Sequence, residues 1–323
     1  MITEHTPAIG NEVHLGITDH AERVAQTVRI VTHLSHMAGK DIPILPLADV
    51  DSETYEPGVY IMDSWLGPDA TISNADFELN KRLLSGASDS AHAVIAGKLH
   101  IDYNDTEHSA PDVAIKCFSK RTAAERLERG VREIRYMEEM LVEEALGFIP
   151  VALVIAPQRG ILDSEVVVLT LHDKTILTMD NLPWGRGLTS ENLDYVLQAT
   201  DAVSRFNRSG RQHGDAKIKN VAQDEAGLRA TSMIDFETTT SFDSTSPFEA
   251  ATATQVDLGL LLKSVDDKGF FARAPEYKRA QALAHIADTY LDSWQDASPE
   301  VQTAVMEEVV NITDRYMQAI PAA

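Results

Sequence analysis

Three short stretches of the chain carry residue types able to do chemistry. In Val113-Ala114-Ile115-Lys116 an apolar run ends on a lysine, which points an ammonium off a rigid platform. In His213-Gly214-Asp215-Ala216-Lys217-Ile218-Lys219-Asn220 a proton carrier, a carboxylate, two ammonium groups and an amide fall within eight residues, with Asp215 and Asn220 five apart. In Met233-Ile234-Asp235-Phe236-Glu237 a carboxylate follows two apolar residues and precedes a phenylalanine. Each stretch alone also has a plain structural reading. Lys116 fits an edge lysine whose stem covers apolar surface, residues 213–220 fit a polar surface turn, and Asp235 fits a turn residue.

The elements that must position these groups follow from periodicity. Residues 93–101 and 112–118 are β-rich runs separated by a polar loop. A helix comes next: Thr122 and Glu125 make a capping box, Leu127, Val131, Ile134 and Leu141 share one face, and Gly147 ends it. Residues 151–156 and 165–171 are two further strands joined by a turn-like Pro-Gln-Arg-Gly. Beyond them the pattern is helical over 190–209, 276–295 and 299–318, with Gly210 as a stop before the His213 stretch and Ser298-Pro299 opening the last helix. Upstream, 18–38 reads as a helix capped at Thr18 or Asp19, and 40–80, broken by Pro43, Pro46, Pro57 and Pro68, reads as irregular. The order predicts an α+β chain: an N-terminal extension over 1–80, a strand-rich lobe with one long helix over 81–173, and a mainly helical lobe over 174–323.

Composition narrows the class. The 323 residues include 28 basic and 50 acidic side chains, a net charge of −22, which disfavours partners with a phosphate backbone or an anionic membrane surface. A single cysteine, Cys117, excludes an internal disulfide framework and suits a reducing compartment. The first residues lack the basic and apolar segments of a secretory signal, so the expectation is a soluble cytoplasmic protein. His33 and His36 are spaced to ligate a metal on a helix, but the sequence offers no clear third ligand beside them.

Taken together and in this order, VAIK (113–116), HGDAKIKN (213–220) and DFE (235–237) resemble the signature set of the protein-kinase-like superfamily, over about residues 83–262. The resemblance implies a two-lobed kinase-like fold and an ATP- and Mg²⁺-dependent transfer of the γ-phosphate to a hydroxyl. It implies that Lys116, held by Glu133 seventeen residues on, binds the α- and β-phosphates. Asp215 would orient the acceptor hydroxyl and take its proton, and Lys217 would neutralise charge on the transferring phosphoryl group. Asn220 and Asp235 would hold Mg²⁺. His213 would brace the loop, and Asp257, within Asp257-Leu258-Gly259, would be the buried aspartate beneath it. Gly86, Ser88 and Ser90 would cover the phosphates, and adenine would lie by backbone groups at Thr170, Leu171 and Asp173.

The chain departs from typical protein kinases in four ways, the fourth being a short interval from Asp235 to Asp257. The phosphate-covering stretch has one glycine, HGD replaces HRD, and DFE replaces DFG. The last two changes look like aminoglycoside- and choline-type phosphotransferases and small atypical kinases. The interval from Asp235 to Asp257 is short for a peptide-docking segment, and its Ser/Thr-rich 238–247 reads as a solvated loop. The resemblance leaves the acceptor open between a small molecule and a protein Ser/Thr. A second class is a pseudokinase, a binding or scaffold module without turnover. The glycine-poor stretch supports it, and the presence of Lys116, Glu133, Asp215, Asn220 and Asp235 opposes it.

Overall fold

A computed structural model describes residues 44–46, 58–61, 72–85, 91–103, 106–118, 123–144, 150–155, 166–171, 176–185, 187–224, 231–272 and 274–318. The chain divides into two compact units, Met1–Asp173 and Lys174–Ala323. Helices and strands are mixed. The expected helix at 18–38, the His33/His36 pair, the cap Thr122, the stop Gly147, and Gly86, Ser88, Ser90 and Asp173 lie outside the described residues.

The described residues of the first unit include seven strands: β1 (Ile44–Pro46), β2 (Gly58–Ile61), β3 (Ile72–Ser85), β4 (Ala91–Tyr103), β5 (Thr106–Phe118), β6 (Pro150–Ile155) and β7 (Val166–Leu171). They form one sheet in the order β1-β2-β6-β7-β5-β4-β3. Only β1 and β2 pair in parallel. Three strands thus lie where the prolines suggested an irregular segment, and β3 runs through residue 80. Prolines at strand ends and sheet edges are compatible with pairing: Pro46 ends β1, an edge strand, and Pro43 and Pro57 each stand just before a strand. The β-branched run of β7 suits its interior place between β6 and β5.

Helix α1 (Ala123–Glu144) follows β5 and packs against β5, β6 and β7. Val131, Ile134 and Met137 form its buried face, as the helical spacing requires. Burying such a face is worth about 1.5–3 kcal/mol per large apolar side chain. That packing, more than helix propensity, fixes the helix on the sheet.

The second unit is mainly helical. It contains β8 (Ile176–Thr178), α2 (Ser190–Arg208), β9 (Arg211–Gln212), β10 (Val221–Asp224), β11 (Ser232–Met233), β12 (Thr240–Ser241), α3 (Pro247–Asp267), α4 (Glu276–Asp292) and α5 (Pro299–Gln318). The short strands make two small antiparallel sheets, β11-β10-β8 and β12-β9. Helix α2 starts at Thr189, whose side chain accepts from the Asn192 amide at 3.1 Å. Its buried Val196, Val203 and Phe206 join apolar residues of α3, α4 and α5, among them Leu258, Ile286 and Val305, in one core. Helix α3 begins inside the Ser/Thr-rich stretch, with Ser246 as N-cap and Pro247 in the first turn, so the solvated loop is shorter than expected. Among the described residues no helix is long and apolar enough to cross a membrane.

Candidate functional site

In the first unit β5 is flanked by β4 and β7, with Lys116 opposite Val94 on one side and Val168 on the other. Lys116 is therefore not an edge lysine. Its side chain is 12% exposed, and its Nζ donates to Glu133 Oε2 at 3.3 Å. Glu133 stands on the buried face of α1 between Val131 and Ile134, and is itself 2% exposed. A carboxylate so placed needs compensating charge, and an ammonium from the sheet below supplies it. The same ammonium lies 5.0 Å from the centre of the Phe118 ring, a second favourable contact. The result is a cation held on two sides at a fixed place on the sheet. Thr170 and Leu171 stand in β7 opposite Ala114 and Val113, so this strand end runs beside the Lys116 strand.

In the second unit the His213–Asn220 run hangs from one buried carboxylate. Helix α2 ends at Arg208, Gly210 turns the chain with a φ of +81°, and β9 delivers His213 to the interior. Asp257, on α3, accepts from His213 N at 2.7 Å, Gly214 N at 2.8 Å and Asn207 Nδ2 at 2.7 Å. Burial pushes its carboxyl above the usual range, opposed by His213 and by these three donors. Gly214 has a φ of +75°, and a Cβ there would sit 3.0 Å from the Thr238 carbonyl, so the turn requires glycine. Behind Asp257 the network continues: Tyr290 donates its hydroxyl to Asn207 Oδ1 at 2.6 Å, Thr254 Oγ1 lies 3.1 Å from the same hydroxyl, and Ser204 Oγ donates to the Tyr290 carbonyl. Burial drives the Tyr290 phenol pKa upward, so it stays a donor.

His213 is fully buried, and its ring is packed near Phe206 and Phe236, each with a centroid 5.8 Å away. Its Nδ1 accepts from the Asp215 amide at 3.3 Å, so Nε2 carries the proton and donates to the Ile234 carbonyl at 2.8 Å. Both ring nitrogens are thus occupied, and His213 braces the loop against the Asp235 segment. A backbone bond from Ile234 N to Asn220 O, 2.9 Å, ties the same two segments a second time. Asp235 itself is the one described non-glycine residue with positive φ, at 69°. That left-handed conformation is uncommon for a side-chain-bearing residue and is tolerated best by Asp and Asn.

Asp215 and Asn220 meet. Asn220 Nδ2 donates to the Asp215 carbonyl at 2.8 Å and to its Oδ2 at 3.0 Å. Both amide hydrogens are then used, and Asn220 Oδ1 accepts no hydrogen bond from the described residues. An uncommitted amide oxygen next to the Asp235 segment fits a hard cation that takes oxygen ligands. Lys217 Nζ contacts Asp215 Oδ1 directly, and Ile218 N donates to Ser264 Oγ at 2.9 Å, fastening the middle of the loop to α3. Among the described residues no three His, Cys, Asp or Glu side chains gather as a metal cage. The oxygens offered here are one carboxylate and one amide.

Each unit therefore brings together the groups that the sequence placed in it: Lys116 with Glu133, and His213, Asp215, Lys217, Asn220 and Asp257 with the Asp235 segment. Sequence reasoning missed Asn207, Thr254, Tyr290 and Ser264. The one signal available was a polar residue inside an apolar helical stripe, as Asn207 is beside Phe206. No protein-family model matches the sequence, and no curated protein matches it.

Proposed function

We propose that the chain is an ATP- and Mg²⁺-dependent phosphotransferase that moves the γ-phosphate to a hydroxyl acceptor. The observation that carries this is the Lys116–Glu133 contact at 3.3 Å. The sequence pairs these two residues by their separation, and a helix that follows the lysine strand and turns a buried carboxylate to it is what the resemblance requires. The Asp215–Asn220 contact on a loop suspended from Asp257 supports the same reading independently.

Each residue then has a physical task. Lys116, pre-oriented by Glu133, places positive charge against the α- and β-phosphate oxygens of ATP. Asp215 aligns the acceptor hydroxyl and takes its proton as the new oxygen–phosphorus bond forms and the bond to the ADP oxygen breaks. Lys217 offsets charge on the phosphoryl group in flight. Asn220 and Asp235 are the residues that would hold Mg²⁺, which neutralises phosphate charge when bound. The adenine would lie by the strand end at Thr170 and Leu171, as the resemblance implies. A reducing, cytoplasmic setting belongs to the same proposal and rests on the single cysteine.

The test is turnover of γ-labelled ATP with Mg²⁺ by wild type and Asp215→Ala. The expected result is label transfer, or slow hydrolysis, by wild type, and a rate about 10²–10⁴-fold lower in a variant with unchanged circular dichroism. Equal rates, or an inert wild type, would refute the proposal. Nucleotide binding without turnover would favour the pseudokinase reading.

A further inference from the structure

Two lysines surround one carboxylate in the 213–220 loop, and only one has a close partner. Lys217 engages Asp215 Oδ1 directly, and Asp215 Oδ2 accepts from Asn220 Nδ2 at 3.0 Å. Both carboxylate oxygens are thus occupied by nearer groups. Lys219 Nζ stands 4.0 Å from Oδ2, with 44% of its side chain exposed, and no other described carboxylate pairs with it. The nearest packed element, the turn at Met179–Asn181, carries Asp180, but Lys268 holds that carboxylate at 2.6 Å. Both ring nitrogens of His213 are already taken by hydrogen bonds. Residues 213–220 thus carry two ammonium groups and one carboxylate, in a chain whose net charge is −22.

The backbone fixes where that charge points. Ile218 is buried between the two lysines and its amide is bound to Ser264, while Asn220 N donates to the Lys217 carbonyl at 2.8 Å. Lys217 and Lys219 thus leave a pinned turn on either side of a buried residue. An acceptor hydroxyl must come within about 2.6–3.2 Å of the Asp215 carboxylate. Substituents a few bonds from that hydroxyl then fall within reach of the Lys219 ammonium. A negative substituent approaching an acidic protein beside Asp215 would be repelled, and an exposed ammonium 4.0 Å from Asp215 Oδ2 offers it a local attraction.

We propose that Lys219 is a specificity-determining residue that selects acceptors carrying an anionic group, phosphate or carboxylate, close to the hydroxyl that is phosphorylated. This rests on the phosphotransferase reading. The same chemistry is found in a phosphorylated small molecule and in a Ser/Thr peptide flanked by Asp or Glu, and the assay separates the two.

The experiment measures kcat and KM, in the full chain, for matched acceptor pairs. One arm pairs sugar phosphates with the same sugars unphosphorylated. The other pairs Ser/Thr peptides flanked by Asp/Glu with peptides flanked by Ala or by Lys/Arg. Wild type should prefer the anionic member in one arm, which identifies the source. In Lys219→Glu the anionic-to-neutral ratio of kcat/KM should fall about tenfold, through acceptor KM, because attraction at an exposed pair becomes repulsion. Lys219→Arg should keep the preference. A wild type that phosphorylates neutral or basic members as well as anionic ones, or a ratio unmoved in Lys219→Glu, overturns this inference and leaves the phosphotransferase standing. A wild type that neither phosphorylates any member nor hydrolyses ATP overturns both.

Discussion

Glu133 in the first unit and Asp257 in the second are both buried carboxylates, and the two are satisfied in opposite ways. Glu133, 2% exposed, meets a side-chain ammonium at the end of a flexible stem. Asp257, fully buried, meets two backbone amides and an Asn side chain, with its own support from Tyr290 behind. A carboxylate that holds an ammonium orients a side chain on a flexible stem. A carboxylate that holds backbone amides sets the path of the chain itself. The first arrangement is adjustable and tunes a charge; the second is rigid and fixes a loop. The difference predicts that damage to Asp257 reaches the fold, whereas damage at Lys116 reaches the ligand first.

The largest effect is expected at Asp257→Ala. Three buried donors lose their acceptor at once, at about 1–3 kcal/mol each, so urea unfolding should show a loss of about 4 kcal/mol. A loss under about 1 kcal/mol would mean that the loop does not hang from Asp257. Lys116→Met should come next, at about 2 kcal/mol, because Glu133 keeps its charge in a buried place. Adding Glu133→Gln should recover most of that loss, while the KM for ATP stays raised in both variants. A double variant as unstable as the single one would break the comparison on the first unit's side. Tyr290→Phe removes one donor behind Asp257 and should cost about 1 kcal/mol without changing the KM for ATP.

The smallest effect concerns pH. Burial, with help from Asp266, pushes the Tyr316 phenol from its ordinary 10.0 up to about 12. Folded chain keeps this proton where unfolded chain has lost it. The contribution is therefore complete below pH 10 and is lost as pH rises toward 12. Wild type should lose stability against Tyr316→Phe across that window, and parallel curves would remove Tyr316 from the alkaline transition.

Legibility in the sequence tracked the range over which each signal acts. The helices at 190–208 and 299–318 were readable almost to their ends, because caps, proline at the first turn and an apolar stripe are all local. The expected helix at 276–295 stops at Asp292, with Trp294 buried just past its end. The strands within 40–80 were not readable. Prolines masked two short strands, and β3 mixes charged and apolar residues around register shifts near Leu79 and Leu83, which destroys alternation. Helix α3 was hidden behind a Ser/Thr-rich start, although Ser246-Pro247-Phe248-Glu249 is itself a capping pattern. At the site, Lys116, Asp215 and Asn220 were visible because their spacing is short. Asn207, Thr254 and Tyr290 were not, since a buried polar network that joins residues 36 to 83 positions apart leaves no local trace.

The most direct test of the central proposal, that the chain binds Mg²⁺-ATP, is a thermal-shift titration of the full chain with ATP, with and without Mg²⁺, in wild type and Asp235→Asn. A ligand that binds only folded protein raises Tm by mass action. The account predicts a Mg²⁺-dependent rise in wild type that shrinks in Asp235→Asn. No shift at millimolar ATP, or an equal shift in both proteins regardless of Mg²⁺, would contradict it.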